Sequence, residues 1–327
     1  MKAVGHGLGA HVPAEEACNA YDNLVRDAHN REVNTYRLYL PFDTRMPQFY
    51  FAKEFSEDNR FKGILGMELV ENVETIPISQ NLKPEDLSDV LRSLAYIEAK
   101  SLKFTHEEKR KLGENPIPLL YHTIMDSDAI SKWIREMYME TEVLRPSGEV
   151  LEKMVAELFV PELTSTLHQE LGMRDVLVHG DLWSLNLMLS KTGDRLKLSK
   201  IIDYQYAHFG SSGEDLCRLF ISTLSGKDRR ENWEKLSEEF YGYFEQYCEG
   251  EMPFTLGQLK ESYRRIFPLA GIFLAEVLNF IPKIGGKNLS DEERATMKEV
   301  LLEKTATLFE DILEFAMRNQ NIQKGAD

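Results

Sequence analysis

The chain has 327 residues, beyond the roughly 250–300 at which a single hydrophobic core stops growing, so two lobes or domains are expected. Its 39 Lys and Arg against 54 Asp and Glu leave a formal charge of −15, which repels phosphate backbones and anionic lipid and removes nucleic acid from the expected partners. A hydrophobic fraction of 43% with 10% aromatic residues excludes a disordered, charge-dominated chain.

Cys18, Cys217 and Cys248 are scattered and form no CxxC pair, which fits a reducing compartment better than a disulfide framework or a zinc knuckle. No apolar run of signal-peptide length opens the chain, so a cytoplasmic location is expected. The most apolar stretch, residues 266–282, carries Pro268, Glu276 and Asn279 and falls short of the ~20 residues of a membrane helix; a buried helix and no membrane span are expected there.

In chain order, residues 5–9 (Gly-His-Gly-Leu-Gly) are followed by a helix. Pro13, Glu15 and Glu16 suit its first turn, and Leu24, Val25, Ala28, Val33 and Tyr36 form its inner face. Residues 48–55 (QFYFAKEF) and 63–73 (GILGMELVENV) read as strands joined by a polar turn, an antiparallel pair. After Pro77 and Pro84 helical patterns take over, which divides the chain into a first lobe over 1–75 and a second over 76–327. Residues 86–100 carry Leu87, Val90, Leu91 and Leu94 at helical spacing, and 149–171 do the same with Leu151, Met154, Val155 and Leu158. Ser290 and Glu293 make a capping box ahead of a last long helix, whose stripe of Met297, Val300, Leu301, Leu308, Ile312 and Phe315 reads as packing.

The chemistry sits in a short β segment between helices. Residues 175–179 (DVLVH) lead into Gly180-Asp181-Leu182-Trp183-Ser184-Leu185-Asn186, then strand, turn (Lys191 to Asp194), strand, and Asp203. Phosphoryl transfer needs divalent metal on the phosphates and an acceptor for the hydroxyl proton. Asp181 can orient and deprotonate a hydroxyl, Asn186 can reach magnesium through its side-chain carbonyl, and the hairpin returns Asp203 beside them as a hard oxygen ligand. Trp183 either stacks on a substrate or packs beneath the loop.

His179-Gly180-Asp181-Leu182-Trp183 with Asn186, followed by Ile202-Asp203-Tyr204-Gln205, resembles the catalytic loop and metal motif of the choline-kinase-like phosphotransferases, and more narrowly the ecdysteroid-kinase-like (CHK kinase-like) family. The resemblance implies an α+β, protein-kinase-like two-lobed fold with an incomplete N-terminal β lobe and a large, mostly helical C-terminal lobe. It implies ATP and magnesium as cofactors and a small-molecule alcohol, choline-like or ecdysteroid-like, as acceptor. Asp181 then matches the catalytic base, Asn186 and Asp203 the magnesium ligands, and Asp215 in Gly213-Glu214-Asp215-Leu216 the carboxylate that braces the loop, with His179 in support. Glu32 resembles the helix glutamate that pairs with a phosphate-binding lysine. Met67-Glu68-Leu69-Val70 resembles the adenine-binding hinge, through the Glu68 carbonyl and the Val70 N–H.

The sequence departs from that family ahead of Glu32. Three strands, a phosphate-covering loop and a lysine are expected there, yet Lys2 is the sole lysine before the helix and residues 5–9 have no strand to frame them. A shortened gene model, a short isoform and a pseudokinase are the three explanations, and reduced activity and a weakly stable small lobe are expected. The rival reading is a catalytically silent binding or scaffold protein. A third reading is a metal-dependent hydrolase using His179, Asp181, Asp203 and His208, in which the two histidines have no third ligand at standard spacing.

Overall fold

The computed structural model describes residues 14–193, 195–284 and 289–326; Lys2, Pro13 and the Gly5 to Gly9 stretch lie outside them. The expected first helix is α1 (Ala14–Tyr39). Leu24, Ala28, Val33 and Tyr36 are buried on it, but Val25 is 47% exposed. Residue 25 lies about 100° round the helix from Leu24, off the stripe that positions 24 and 28 define.

The strands β1 (Phe49–Lys53) and β2 (Ile64–Met67) pair antiparallel, Phe49 opposite Met67 and Lys53 opposite Ile64. Both are shorter than the sequence suggests. Asn30 on α1 holds the end of β1, donating to the Phe55 carbonyl at 2.9 Å and accepting the Phe55 N–H at 2.8 Å, which takes that residue out of the ladder. Beyond β2 the chain reaches Asn72 at a φ of 56° and starts β3 (Glu74–Thr75).

Helices then dominate: α2 (Ser88–Ser101), α3 (His106–Arg110), α4 (Ile117–Ile124), α5 (Ser127–Glu140), α6 (Arg145–Leu158) and α7 (Leu163–Glu170). The single helix expected over 149–171 is thus two, because Pro161 in the intervening turn has no N–H to continue the first. Leu87, Val90, Leu91 and Leu94 are buried as expected.

Next come β4 (Val176–Val178), β5 (Leu187–Thr192), β6 (Arg195–Ile201) and β7 (His208–Gly210). The strand β3 joins the β5–β6 hairpin, and β4 pairs with β7, so the loop 179–186 leaves one small sheet and enters another. Two short pairings at its ends hold the loop at a fixed place.

The core lies where α8 (Gly213–Thr223) is enclosed by α10 (Leu256–Ile284), with α9 (Gly226–Tyr247) and α11 (Asp291–Ala326) completing the lobe. Every residue of α8 is buried. The apolar 266–282 stretch falls within α10, and among the described residues no helix is long and apolar enough to cross a membrane. Ser290 and Glu293 make the expected capping box, and Leu301, Leu308 and Ile312 are buried in the core cluster. Polar ties add to that packing: Asp311 accepts from Arg229 Nε at 2.9 Å and from Arg230 Nε at 2.5 Å, joining α11 to α9. With few strands and a large helical lobe, the architecture is the mixed α and β one expected.

Because Arg229 is 1% exposed, Asp311→Ala leaves a buried, uncompensated guanidinium. Urea unfolding should show a loss of about 3–5 kcal/mol. A loss below about 1 kcal/mol would mean that packing alone holds α11.

Candidate active site

The site is built on one buried carboxylate. Asp215, in the first turn of α8 and 0% exposed, accepts the N–H of His179 at 2.6 Å and of Gly180 at 3.0 Å. Glycine is required at 180: its φ is +79°, and a Cβ there would collide with the Tyr206 carbonyl. His179 finishes the turn. Its Nε2 donates to the Ile202 carbonyl at 2.8 Å and its Nδ1 accepts the Asp181 N–H at 3.2 Å. Burial pulls this imidazole down to about 4, so it stays neutral and can do both.

With both ring nitrogens taken, His179 has none for the metal of a hydrolase. His208 uses Nδ1 on the Tyr206 carbonyl at 2.9 Å, while its buried Nε2 stands 3.3 Å from Glu214 without a hydrogen bond.

The turn delivers Asp181, Asn186 and Asp203 to one place. Asn186 Nδ2 donates to the Asp181 carbonyl at 2.8 Å, which leaves its Oδ1 as the free end. The Ile202 N–H donates to the Asn186 carbonyl at 3.0 Å, so Asp203 follows directly beside the loop. Asp203 adopts a φ of +69°, a left-handed conformation uncommon for a non-glycine residue and one that often marks a functional site. Burial and the like charge of Asp181 push its carboxyl up to about 6. Glu32 on α1 is pushed to about 7 by burial and by Asp203. Among the described residues no Lys or Arg pairs with Glu32. Asp203 thus sits close enough to Glu32 to raise it, while among the described residues no three His, Cys, Asp or Glu side chains form a group that could hold a metal ion.

The hinge residues stand a little apart. Met67 and Val70 are half-buried, and the Glu68 N–H bonds the Gln48 carbonyl at 2.8 Å. The Glu68 carboxylate meets Lys200 at 2.8 Å, which ties the hinge to the hairpin that carries Asp203. Among the described residues the Val70 N–H and the Glu68 carbonyl have no hydrogen-bond partner.

Sequence reasoning missed Arg218 and Glu98. Arg218, one helical turn after Asp215, bonds Asp181 Oδ1 through Nη1 at 3.1 Å and the Tyr121 hydroxyl through Nη2. No local sequence signal gives these contacts, since Asp181 and Tyr121 lie far from Arg218 in the chain. Glu98 is 0% exposed and accepts from Ser212 Oγ; burial and the Asp215 charge push it well above the carboxylate range. The two amide donors favour the charge on Asp215 and the proton on Glu98. Its signal was an acid four residues after Leu94, on the apolar stripe. Trp183 lines a cavity of about 180 Å³ beside Asp181 and Arg218, with Ile117, Tyr206 and Phe273.

Braced loop, returning hairpin and helical lobe are the features that the kinase-like resemblance called for. The chain belongs to the family DUF1679, described as "Uncharacterized oxidoreductase dhs-27", whose model matches residues 2–320. It is 26% identical over 264 residues to "Uncharacterized oxidoreductase dhs-27" of Caenorhabditis elegans, covering 77% of this chain and 31% of that protein. It is 24% identical over 280 residues to "Uncharacterized kinase-like protein D1044.1" of the same organism, covering 82% of this chain and 70% of that protein. The chain therefore spans under a third of dhs-27, and what the whole of that protein does is not carried over. A choline kinase from Cryptosporidium parvum aligns at 13% identity with a TM-score of 0.46, over 90% of this chain and 78% of that one. At that score the likeness carries no weight beside the geometry.

Glu32 and Asp203 have folded-state values above their unfolded ones, so the folded state holds more protons across that window. Their contribution to stability is complete below about pH 4 and lost as pH rises toward 7. Glu32→Gln should flatten that decline, giving a higher melting temperature than wild type at pH 8 and little difference at pH 4.5. Equal melting curves at pH 8 would show that the two carboxylates do not strain the fold.

Proposed function

We propose that the chain is an ATP- and magnesium-dependent phosphotransferase whose acceptor is a small-molecule alcohol, choline-like or ecdysteroid-like. The observation that carries this reading is the clamp of Asp215 on His179 and Gly180, which holds Asp181 and Asn186 in a fixed loop beside Asp203. Asp181 orients the acceptor hydroxyl and takes its proton as the oxygen bonds the γ-phosphorus and ADP leaves. Asn186 Oδ1 and the Asp203 carboxylate would hold magnesium. When bound, the metal neutralises charge on the phosphates. Met67 lines the adenine pocket, and the Glu68 carbonyl and Val70 N–H meet the base edge. Glu32 sits beside Asp203, where a phosphate-binding cation would answer its charge.

A second reading, a catalytically silent kinase-like binding protein, is favoured by one observation: among the described residues Glu32 faces Asp203 with no cationic partner. Calorimetry and turnover separate the two. Wild type should bind ATP only with magnesium, and Asp203→Ala should abolish that binding. Asp181→Asn should keep nucleotide binding and lower transfer to an alcohol by about 10²–10⁴-fold. Binding without transfer to any alcohol would favour the silent reading, and absence of binding in a folded chain would overturn the enzyme reading and leave a scaffold role.

A further inference from the structure

The cavity beside Asp181 holds one carboxylate and one guanidinium, and they are paired. Arg218 is 2% exposed and fixed on three sides. Nη1 reaches Asp181 Oδ1 at 3.1 Å, Nη2 reaches the Tyr121 hydroxyl, and the guanidinium lies over the Phe273 ring at 4.9 Å. Phe273 in turn stacks on Tyr121, with centroids 4.8 Å apart and ring planes 2° from parallel. Asp181 and the Tyr121 hydroxyl are its hydrogen-bond partners, and the charges of Glu214 and Asp215 also act on it. Arg218 Nε is buried with no partner, a donor left over beside the cavity.

We infer that Arg218 is a positioning residue for Asp181 and that, by neutralising the one negative charge of the acceptor cavity, it sets the site's specificity for an uncharged, largely apolar alcohol. This rests on the phosphotransferase reading and narrows its acceptor. The other lining residues include Ile117, Leu120, Ile124, Phe273 and Val277, none with a charge. A quaternary ammonium or an aminoglycoside would be desolvated there without a free carboxylate, beside a guanidinium of its own sign. An apolar alcohol is desolvated at no such cost.

The test compares choline with 3,3-dimethylbutan-1-ol, its uncharged isostere, in wild type, Arg218→Met, Arg218→Lys and Tyr121→Phe. Binding is read by calorimetry in the presence of a non-hydrolysable ATP analogue and magnesium. Wild type should favour the isostere by at least tenfold. In Arg218→Met the preference should shrink tenfold or reverse, and Arg218→Lys, which keeps the charge, should restore it in part. If Arg218→Met does not fold, Tyr121→Phe, which only loosens the guanidinium, should lower the preference by less but in the same sense. A wild-type preference for choline, or a preference that ignores position 218, would overturn the inference. Because this readout needs no turnover, absence of phosphoryl transfer would defeat the phosphotransferase reading separately.

Discussion

A carboxylate with no exposure, receiving two consecutive backbone N–H groups, is the constraint on which the rest of the site depends. Asp215 fixes His179 and Gly180, and through them the direction in which the chain leaves β4. Charge-assisted bonds of this kind are about twice as strong as neutral ones, and their enclosure in α8 keeps water from competing. Everything downstream is short-range. The Asp181 N–H rests on His179, the Asn186 side chain on the Asp181 carbonyl, and Ile202 on Asn186. A loop held in this way needs little reorganisation when it acts, which is where electrostatic catalysis gains most.

The helical lobe holds the other side of the same loop. The Ser184 N–H donates to Ser222 Oγ at 3.1 Å near the end of α8, and the Ser222 carbonyl accepts from Lys304 Nζ on α11 at 2.7 Å. Burial and the nearby Arg229 pull Lys304 down to about 7, so a long polar side chain is kept inside the core at the cost of easy protonation. The last helix thus reaches the loop through one serine. Its apolar stripe is internal packing, since Leu301, Leu308 and Ile312 are all buried.

The loop and its hairpin were legible in the sequence because their chemistry is local: His179 to Asn186 are consecutive, and a tight hairpin accounts for the distance to Asp203. Asp215 was legible through its motif. Arg218 was not, because nothing in Leu-Cys-Arg says that the arginine turns toward Asp181 rather than toward solvent; that depends on Tyr121 and Phe273, contributed by distant helices. Glu98 was passed over because an acid on an apolar stripe reads as an interruption, and its meaning comes only from Ser212 and Asp215. Helix boundaries failed for an equally physical reason. Periodicity ran through residues 149–171, but Pro161 broke the hydrogen-bond ladder that periodicity assumes. Val25 failed because an apolar residue beside a stripe need not belong to it.

We propose that Asn186 on the braced loop and Asp203 at the end of the hairpin form a divalent-cation site. The most direct measurement is a crystal grown with manganese and ADP, with anomalous scattering used to locate the metal. A peak at roughly 2.0–2.3 Å from both Asn186 Oδ1 and an Asp203 carboxylate oxygen is the result expected for a hard cation. Nucleotide density with no metal at these two oxygens, or a peak held by other residues, would contradict it.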